Sequence, residues 1–198
     1  MSAEAANQVQ GTNRLNVLIS GSSLSSNKGA MGMTIVAVER IRRMFPGSRV
    51  RLLSKYYRQD EAGGEEYGIE LVHAKPSMVI TSTLLRSLAC MILKPLSIRW
   101  LYDSVIKAYA EADIVVDLGG VTFCDDRDWK GLMLSIGWAA PAAATGTPVV
   151  KLSQAIGPFR KKRVRWPAKF FLKRYGLLIA RGEETAANVR NLLGPGTE

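Results

Sequence analysis

Short apolar, β-branched runs recur along the chain, separated by longer stretches in which apolar positions return every three or four residues. That alternation predicts an α/β protein with a parallel sheet covered by helices. Six strands are expected, at Leu15 to Ser20, Arg49 to Ser54, Glu70 to Val72, Asp113 to Asp117, Val149 to Leu152 and Leu177 to Ala180.

Between the first two strands, Met31, Ile35, Val38 and Ile41 share one helical face, while Glu39, Arg40 and Arg43 lie elsewhere. Gly29 to Phe45 therefore reads as an amphipathic crossover helix that ends at Pro46-Gly47. Met78 to Glu111 is apolar and helix-prone but interrupted by Pro95, which suggests two helices before the fourth strand. Further helices are expected at Trp129 to Ala144, bent or ended at Pro141, at Trp166 to Tyr175 and at Glu183 to Leu193. Residues 1–13 read as a flexible tail, residues 14–194 as one domain, and residues 195–198 as the start of an interdomain linker after the Gly194-Pro195-Gly196 stop.

A length of 198 residues with 47% hydrophobic content suits one packed domain. Cys90 and Cys124 are too far apart in sequence for a metal finger, and a reducing compartment is the simplest reading. The opening residues lack a secretory pattern. The uncharged run from Gly131 to Val150 contains Pro141 and a Thr-Gly-Thr-Pro turn, so it reads as helix, turn and strand rather than a membrane span. A net charge of +10 favours an acidic partner: phosphate esters, anionic glycans, membrane lipid or nucleic acid. No recognition motif accompanies the charge, so nucleic acid is not expected.

Four turns at carboxyl ends of strands carry candidate chemistry. After the first strand, Ser20 to Ala30 is rich in glycine and hydroxyls and leads into a helix. Asn27, Lys28 and Gly29 there present an anion-binding helix start, with a capped loop, Asn27 serving the helix start, as the alternative. The fourth strand ends in Asp117-Leu118-Gly119-Gly120, whose glycines either let the backbone approach a ligand or make a tight exit. Asp125, Asp126 and Asp128 have a spacing that could hold a divalent ion, but a solvated acidic loop is the better reading, and no metal site is assigned.

The fifth strand is followed by Gln154-Ala155-Ile156-Gly157-Pro158, and the sixth by Arg181. A guanidinium at that position either grips phosphate or carboxylate or pairs with a nearby Glu. His73, the single histidine, has no readable catalytic partner and reads as a packing or surface residue. Between these turns runs the basic stretch Arg160 to Arg163, with Arg165, Lys169, Lys173 and Arg174 beyond it. Trp166 and Phe170 flank that face, which is either solvated or suited to an anionic membrane surface or glycan.

Taken in order, Asn27-Lys28-Gly29-Ala30, Asp117 to Gly120, Gln154-Ala155-Ile156-Gly157-Pro158, and Ile179-Ala180-Arg181 followed by an acidic residue and Thr185 resemble the polysaccharide pyruvyl transferase family over residues 14 to 194. The resemblance implies a Rossmann-like domain, one half of a GT-B-like fold of two domains facing across a cleft. It implies transfer of pyruvate as a ketal from phosphoenolpyruvate to a sugar of a polysaccharide, with the donor as substrate and no cofactor. It makes Asn27, Lys28, Gly29, Gly119, Gly120, Gln154, Gly157 and Arg181 substrate-binding candidates, Arg181 for the donor, and leaves the catalytic residues unknown. Where the family has aspartate directly after the arginine, this chain has Gly182 and then Glu183.

The family's second domain supplies a histidine and further basic residues, so this half is expected to be inactive alone and to sit in the cytoplasm, at or near the inner face of the membrane. Two rivals stand beside it. One is a non-catalytic module that binds an anionic surface or glycan, and the other is a fragment of a sugar-nucleotide-dependent GT-B glycosyltransferase.

Overall fold

The computed structural model describes residues 14–93 and 99–194. Seven strands, all parallel, form one sheet: β1 (Asn16–Ser20), β2 (Arg49–Ser54), β3 (Glu70–His73), β4 (Ile114–Asp117), β5 (Val121–Thr122), β6 (Val149–Ile156) and β7 (Leu177–Ala180). The pairings give the order β3-β2-β1-β4-β6-β7, with the two-residue β5 paired to Ala155 and Ile156 at the end of β6. The chain leaves β1 toward one edge and returns to β4 on the other side, so the switch point where ligands of open α/β sheets collect lies between β1 and β4. The fold is Rossmann-like, as expected, with one strand more than the six predicted.

The helices are α1 (Lys28–Met44), α2 (Tyr57–Glu66), α3 (Pro76–Met78), α4 (Leu84–Ile92), α5 (Ser104–Ala110), α6 (Trp129–Thr145), α7 (Lys162–Leu172) and α8 (Gly182–Leu193). A π-turn, Val79–Thr83, joins α3 to α4 without a break, and a 3₁₀ turn covers Arg99–Leu101. The interruption predicted at Pro95 lies outside the described residues, as do the predicted tail and the predicted linker.

Several boundaries differ from the sequence reading for physical reasons. α2 went unpredicted because its Gly63 and Gly64 and its polar outer face hide the few buried positions, Asp60 and Gly64. α6 neither ends nor stops short at Pro141; it runs to Thr145 and closes on Gly146 in the left-handed conformation (φ 79°). α7 starts at Lys162 rather than Trp166, and Pro167 lies within it. β6 runs on to Ile156, so Gln154 lies in a strand rather than in the loop after one.

Register partners on parallel strands share a face. Leu18, Val115 and Val149 face α5 and α6, and pack with Val105, Ala108, Tyr109 and Ala142. Val17, Ile19, Val50, Leu52 and Val116 face the other way, onto Ala37, Val38 and Ile41 of α1. A third cluster joins α4, α6, α7 and α8 around Leu132, Ala140, Ile156, Val164, Phe171 and Leu172. On the α1 side, however, a trough of about 650 Å³ stays open beyond α1, lined by Val36, Ile41, Val116, Val150 and Leu152 among others. Leu177 and Ile179 of β7 remain 47% and 40% exposed.

Candidate functional site

The sheet's switch point is held by a buried row of polar groups. Ser20, Asp117 and Lys151 are register neighbours on the α6 side of β1, β4 and β6. Lys151 is fully buried; its Nζ donates to Asp117 Oδ2 at 2.8 Å and to the Gly119 carbonyl at 3.1 Å. The other Asp117 oxygen, Oδ1, accepts from Gly119 N–H at 2.7 Å. A buried ammonium and a near-buried carboxylate are tolerated because both are hydrogen-bonded beyond their own ion pair. Together they clamp the Gly119 turn from two sides. Burial pushes the Tyr109 and Tyr175 phenols up from their ordinary range, and the Asp117 charge adds to it. Tyr109 donates to the Trp138 carbonyl at 2.7 Å.

The turns after β1 and β4 touch. A Cβ built on Gly21 (φ 75°) would fall 2.5 Å from Gly119 Cα and 2.8 Å from Asp117 Oδ1, so glycine is required there by both conformation and space. The β1 turn is further pinned from below by Asp60 of α2. One carboxylate oxygen accepts from Leu24 N–H (3.0 Å) and Ser25 Oγ (2.6 Å), and the other from Ser54 Oγ. Asp60 is completely buried, and sequence reasoning missed it because its role appears only once α2 is in place.

Asn27 is the N-cap of α1, with Oδ1 accepting from Ala30 N–H at 2.8 Å, which realises the capping alternative. Among the described residues the N–H groups of Lys28 and Gly29 have no acceptor, and no acidic residue stands in that first turn. Both residues are exposed. That start of α1 therefore keeps the positive end of its dipole open to an anion.

Gln154 is where the other candidates meet. It is 5% exposed; its Nε2 lies 3.6 Å from Met33 Sδ of α1. A Cβ on Gly120 would come to 3.7 Å from Gln154 Oε1, and the Gln154 carbonyl accepts from Arg181 N–H at 3.3 Å. Gly157, three residues on (φ 86°), precedes a cis bond to Pro158 and packs against Asn188 of α8. The four predicted turns thus all lie along the carboxyl edge of the sheet, where Gly21 meets Gly119 and Gln154 meets Gly120 and Arg181. α1 reaches Gln154 through Met33 rather than through Asn27, Lys28 or Gly29. Arg181 is exposed, and its guanidinium makes no ion pair among the described residues, which removes the alternative of a structural pairing with a nearby Glu. Glu183 and Glu184 occupy the first turn of α8.

The aspartate group after β5 does two structural jobs. Asp125 is 6% exposed rather than solvated: it accepts from Arg160 N–H (2.7 Å) and Lys161 N–H (3.1 Å), tying the basic stretch to the β5 loop. Asp128 caps α6 through Gly131 N–H, and Asp126 is exposed. Just before that loop, Phe123 holds a left-handed backbone (φ 48°) while fully buried beside Phe171. A bulky residue in that region is strained and persists because its surroundings fix it. His73 is exposed, its ring 5.4 Å from that of Tyr57.

Lys55, after β2, was also missed. Its pKa is lowered, chiefly by burial and then by the Arg127 charge, with Asp60 opposing. Arg127 donates to the Val121 carbonyl at 2.6 Å. Lys55 thus brings a destabilised cation to the same edge of the sheet, a feature that accumulates at functional sites. Its only sequence signal was its place at the end of a strand.

No family model, curated protein or solved structure matches this chain.

Proposed function

We propose that this chain is the N-terminal half of an enzyme resembling the polysaccharide pyruvyl transferases. It would transfer pyruvate as a ketal from phosphoenolpyruvate to a sugar of a cell-surface or exported polysaccharide, and this half alone would turn over little. The observation that supports the reading is the convergence on Gln154 of α1, the Gly120 turn and Arg181. That edge offers an open helix start beside Lys28, an unpaired guanidinium and close backbone approach. Those are the elements that hold a ligand carrying both a phosphate and a carboxylate.

In this reading Arg181 takes the donor's carboxylate or phosphate, while Lys28 and the first N–H groups of α1 take the other anionic end. Gln154, buried and already in contact with α1, orients the edge rather than supplying charge. Protonation of the enol methylene and relief of positive charge at the ketal carbon fall to the facing domain. The half-covered sheet fits this division, because a parallel sheet ordinarily has both faces covered. The proposed location is the cytoplasm, at or near the inner face of the membrane, and the two buried free cysteines suit a reducing compartment.

The test is calorimetric titration of the 198-residue chain with phosphoenolpyruvate, followed by phosphate release in a form that carries a facing domain. Arg181→Ala should weaken donor binding roughly ten- to hundredfold, the loss of a charge-assisted hydrogen bond. Unchanged turnover in the variant would sink the assignment of Arg181. Binding of a sugar nucleotide with no phosphate release from phosphoenolpyruvate would favour the glycosyltransferase rival.

A further inference from the structure

Two surface features on the α6 side of the sheet take no part in the crevice. The first is α7. It buries Val164, Pro167, Ala168, Phe171 and Leu172, and leaves Lys162, Arg163, Arg165, Trp166 and Lys169 exposed. From Arg160 to Arg174 the chain has eight Lys or Arg residues and no Asp or Glu. Trp166 is 74% exposed; its ring stacks on Phe170 at 6.0 Å, and the Arg174 guanidinium lies 3.7 Å from the Phe170 ring on the same helix.

The second feature is α4. Its Leu84, Ser87 and Cys90 are buried, while Leu85, Leu88 and Ile92 are exposed at 67%, 39% and 78%. Their spacing of three and four places them in one stripe along the helix. Trp100, in the 3₁₀ turn that follows, is 79% exposed. α4 and α7 both pack on α6 and share its core cluster, so both features lie on the same side of the sheet.

Each feature alone admits several partners. Cations alone would suit any soluble polyanion, but a polyanion gives Leu85, Leu88 and Ile92 nothing to bury against. An apolar stripe alone would suit another protein, but it leaves the exposed Lys162, Arg163, Lys169 and Lys173, none of them in an ion pair among the described residues, unexplained. A surface with apolar side chains and tryptophans for the acyl boundary and cations for the headgroups matches one environment, the face of an anionic bilayer. No described helix is long and apolar enough to cross a membrane, which fits lying on a bilayer rather than spanning it.

We propose that α4, Trp100 and α7 form a docking surface for an anionic lipid membrane. Leu85, Leu88, Ile92 and the two tryptophans enter the headgroup boundary, and Lys162, Arg163, Arg165, Lys169 and Lys173 contact the phosphates. The inference is independent of pyruvyl transfer.

The 198-residue chain, mixed with vesicles of phosphatidylcholine alone or doped with phosphatidylglycerol, should sediment only with the doped vesicles and be released by high salt. Replacing Lys162, Lys169 and Lys173 by Gln should lower partitioning about a hundredfold, at roughly fivefold per basic group. Replacing Leu85, Leu88 and Ile92 by Gln should also abolish sedimentation, yet leave binding to heparin unchanged. The tryptophan emission shift on doped vesicles should shrink in Trp166→Phe. All these positions are exposed, so far-ultraviolet dichroism should match the parent chain. Vesicle binding that survives the stripe variant would overturn the proposal in favour of a soluble polyanion, and so would heparin binding with no vesicle preference. Self-association lost in the stripe variant, with no vesicle binding, would replace the membrane with a second copy.

Discussion

The two halves of the sheet differ in how they are finished. In the β3-β2-β1 half, α1 and α2 cover one face and α5 the other, and Leu18, Leu52 and Leu53 are entirely buried. In the β4-β6-β7 half, α6, α7 and α8 pack over one face, but the opposite face opens into the trough beside α1. Yet strands of both halves read alike in sequence: β1 carries Val-Leu-Ile in the first half, while β4 is Ile-Val-Val-Asp and β7 is Leu-Leu-Ile-Ala in the second, each apolar on both sides. Strands patterned for two-sided burial but covered on one side imply a covering element that the described residues do not provide. The trough's lining reaches Gln154, so whatever covers it would also border the candidate site.

The largest expected effect separates the two buried basic residues. Lys151→Ala removes the partner of Asp117 in the middle of the sheet and should cost about 3–5 kcal/mol, because it leaves a carboxylate buried and uncompensated. Arg51 of β2 is as deeply buried, but its partner Glu111 is 45% exposed and can return to water. Arg51→Met should therefore cost much less, about 1 kcal/mol. Urea unfolding of the two variants measures the contrast; equal costs would show that the Asp117 clamp has no special weight.

A smaller contrast tests the uncovered face directly. Leu172→Ala, on the covered side, should cost about 2–5 kcal/mol. Ile179→Ala, on the open side and 40% exposed, should cost less than about 1 kcal/mol. If Ile179→Ala proves as damaging as Leu172→Ala in thermal melts, the exposed face of β7 is already covered in solution, and a protein-concentration dependence of the melt would assign the cover to a second copy.

The same contrast explains what could be read from the chain alone. Strands were legible because their burial is written as contiguous apolar runs, and α1 because its buried Val38 and Ile41 recur at helical spacing. α2 was illegible because it buries a carboxylate and a glycine, residues that count as polar or as breakers in any periodicity. The candidate site was legible as four turns at strand ends, since open α/β sheets collect ligands there. What holds those turns was not: Lys151 and Asp117 look like charges within strands, and only register shows them side by side. Asp125 likewise reads as surface until the chain folds back to place Arg160 and Lys161 over it.

The smallest effect concerns Lys55, where the two halves meet through Arg127. Burial, then the Arg127 charge, holds the Lys55 ammonium below its ordinary 10.5, with Asp60 opposing. Between the lowered folded value and 10.5 the unfolded chain binds more protons, so this residue makes stability rise with pH through that window. Below the window the cost of keeping Lys55 charged is present in full. Lys55→Met should flatten the alkaline rise. An anion bound near Lys55 and Arg127 acts in the opposite sense: it favours the ammonium, raises its pKa and draws a proton from alkaline buffer on binding. Calorimetry of phosphate or phosphoenolpyruvate in buffers of different ionisation enthalpy detects that uptake. Uptake that persists undiminished in Lys55→Met would show that the anion sits elsewhere on the edge, with Lys28 and Arg181 alone.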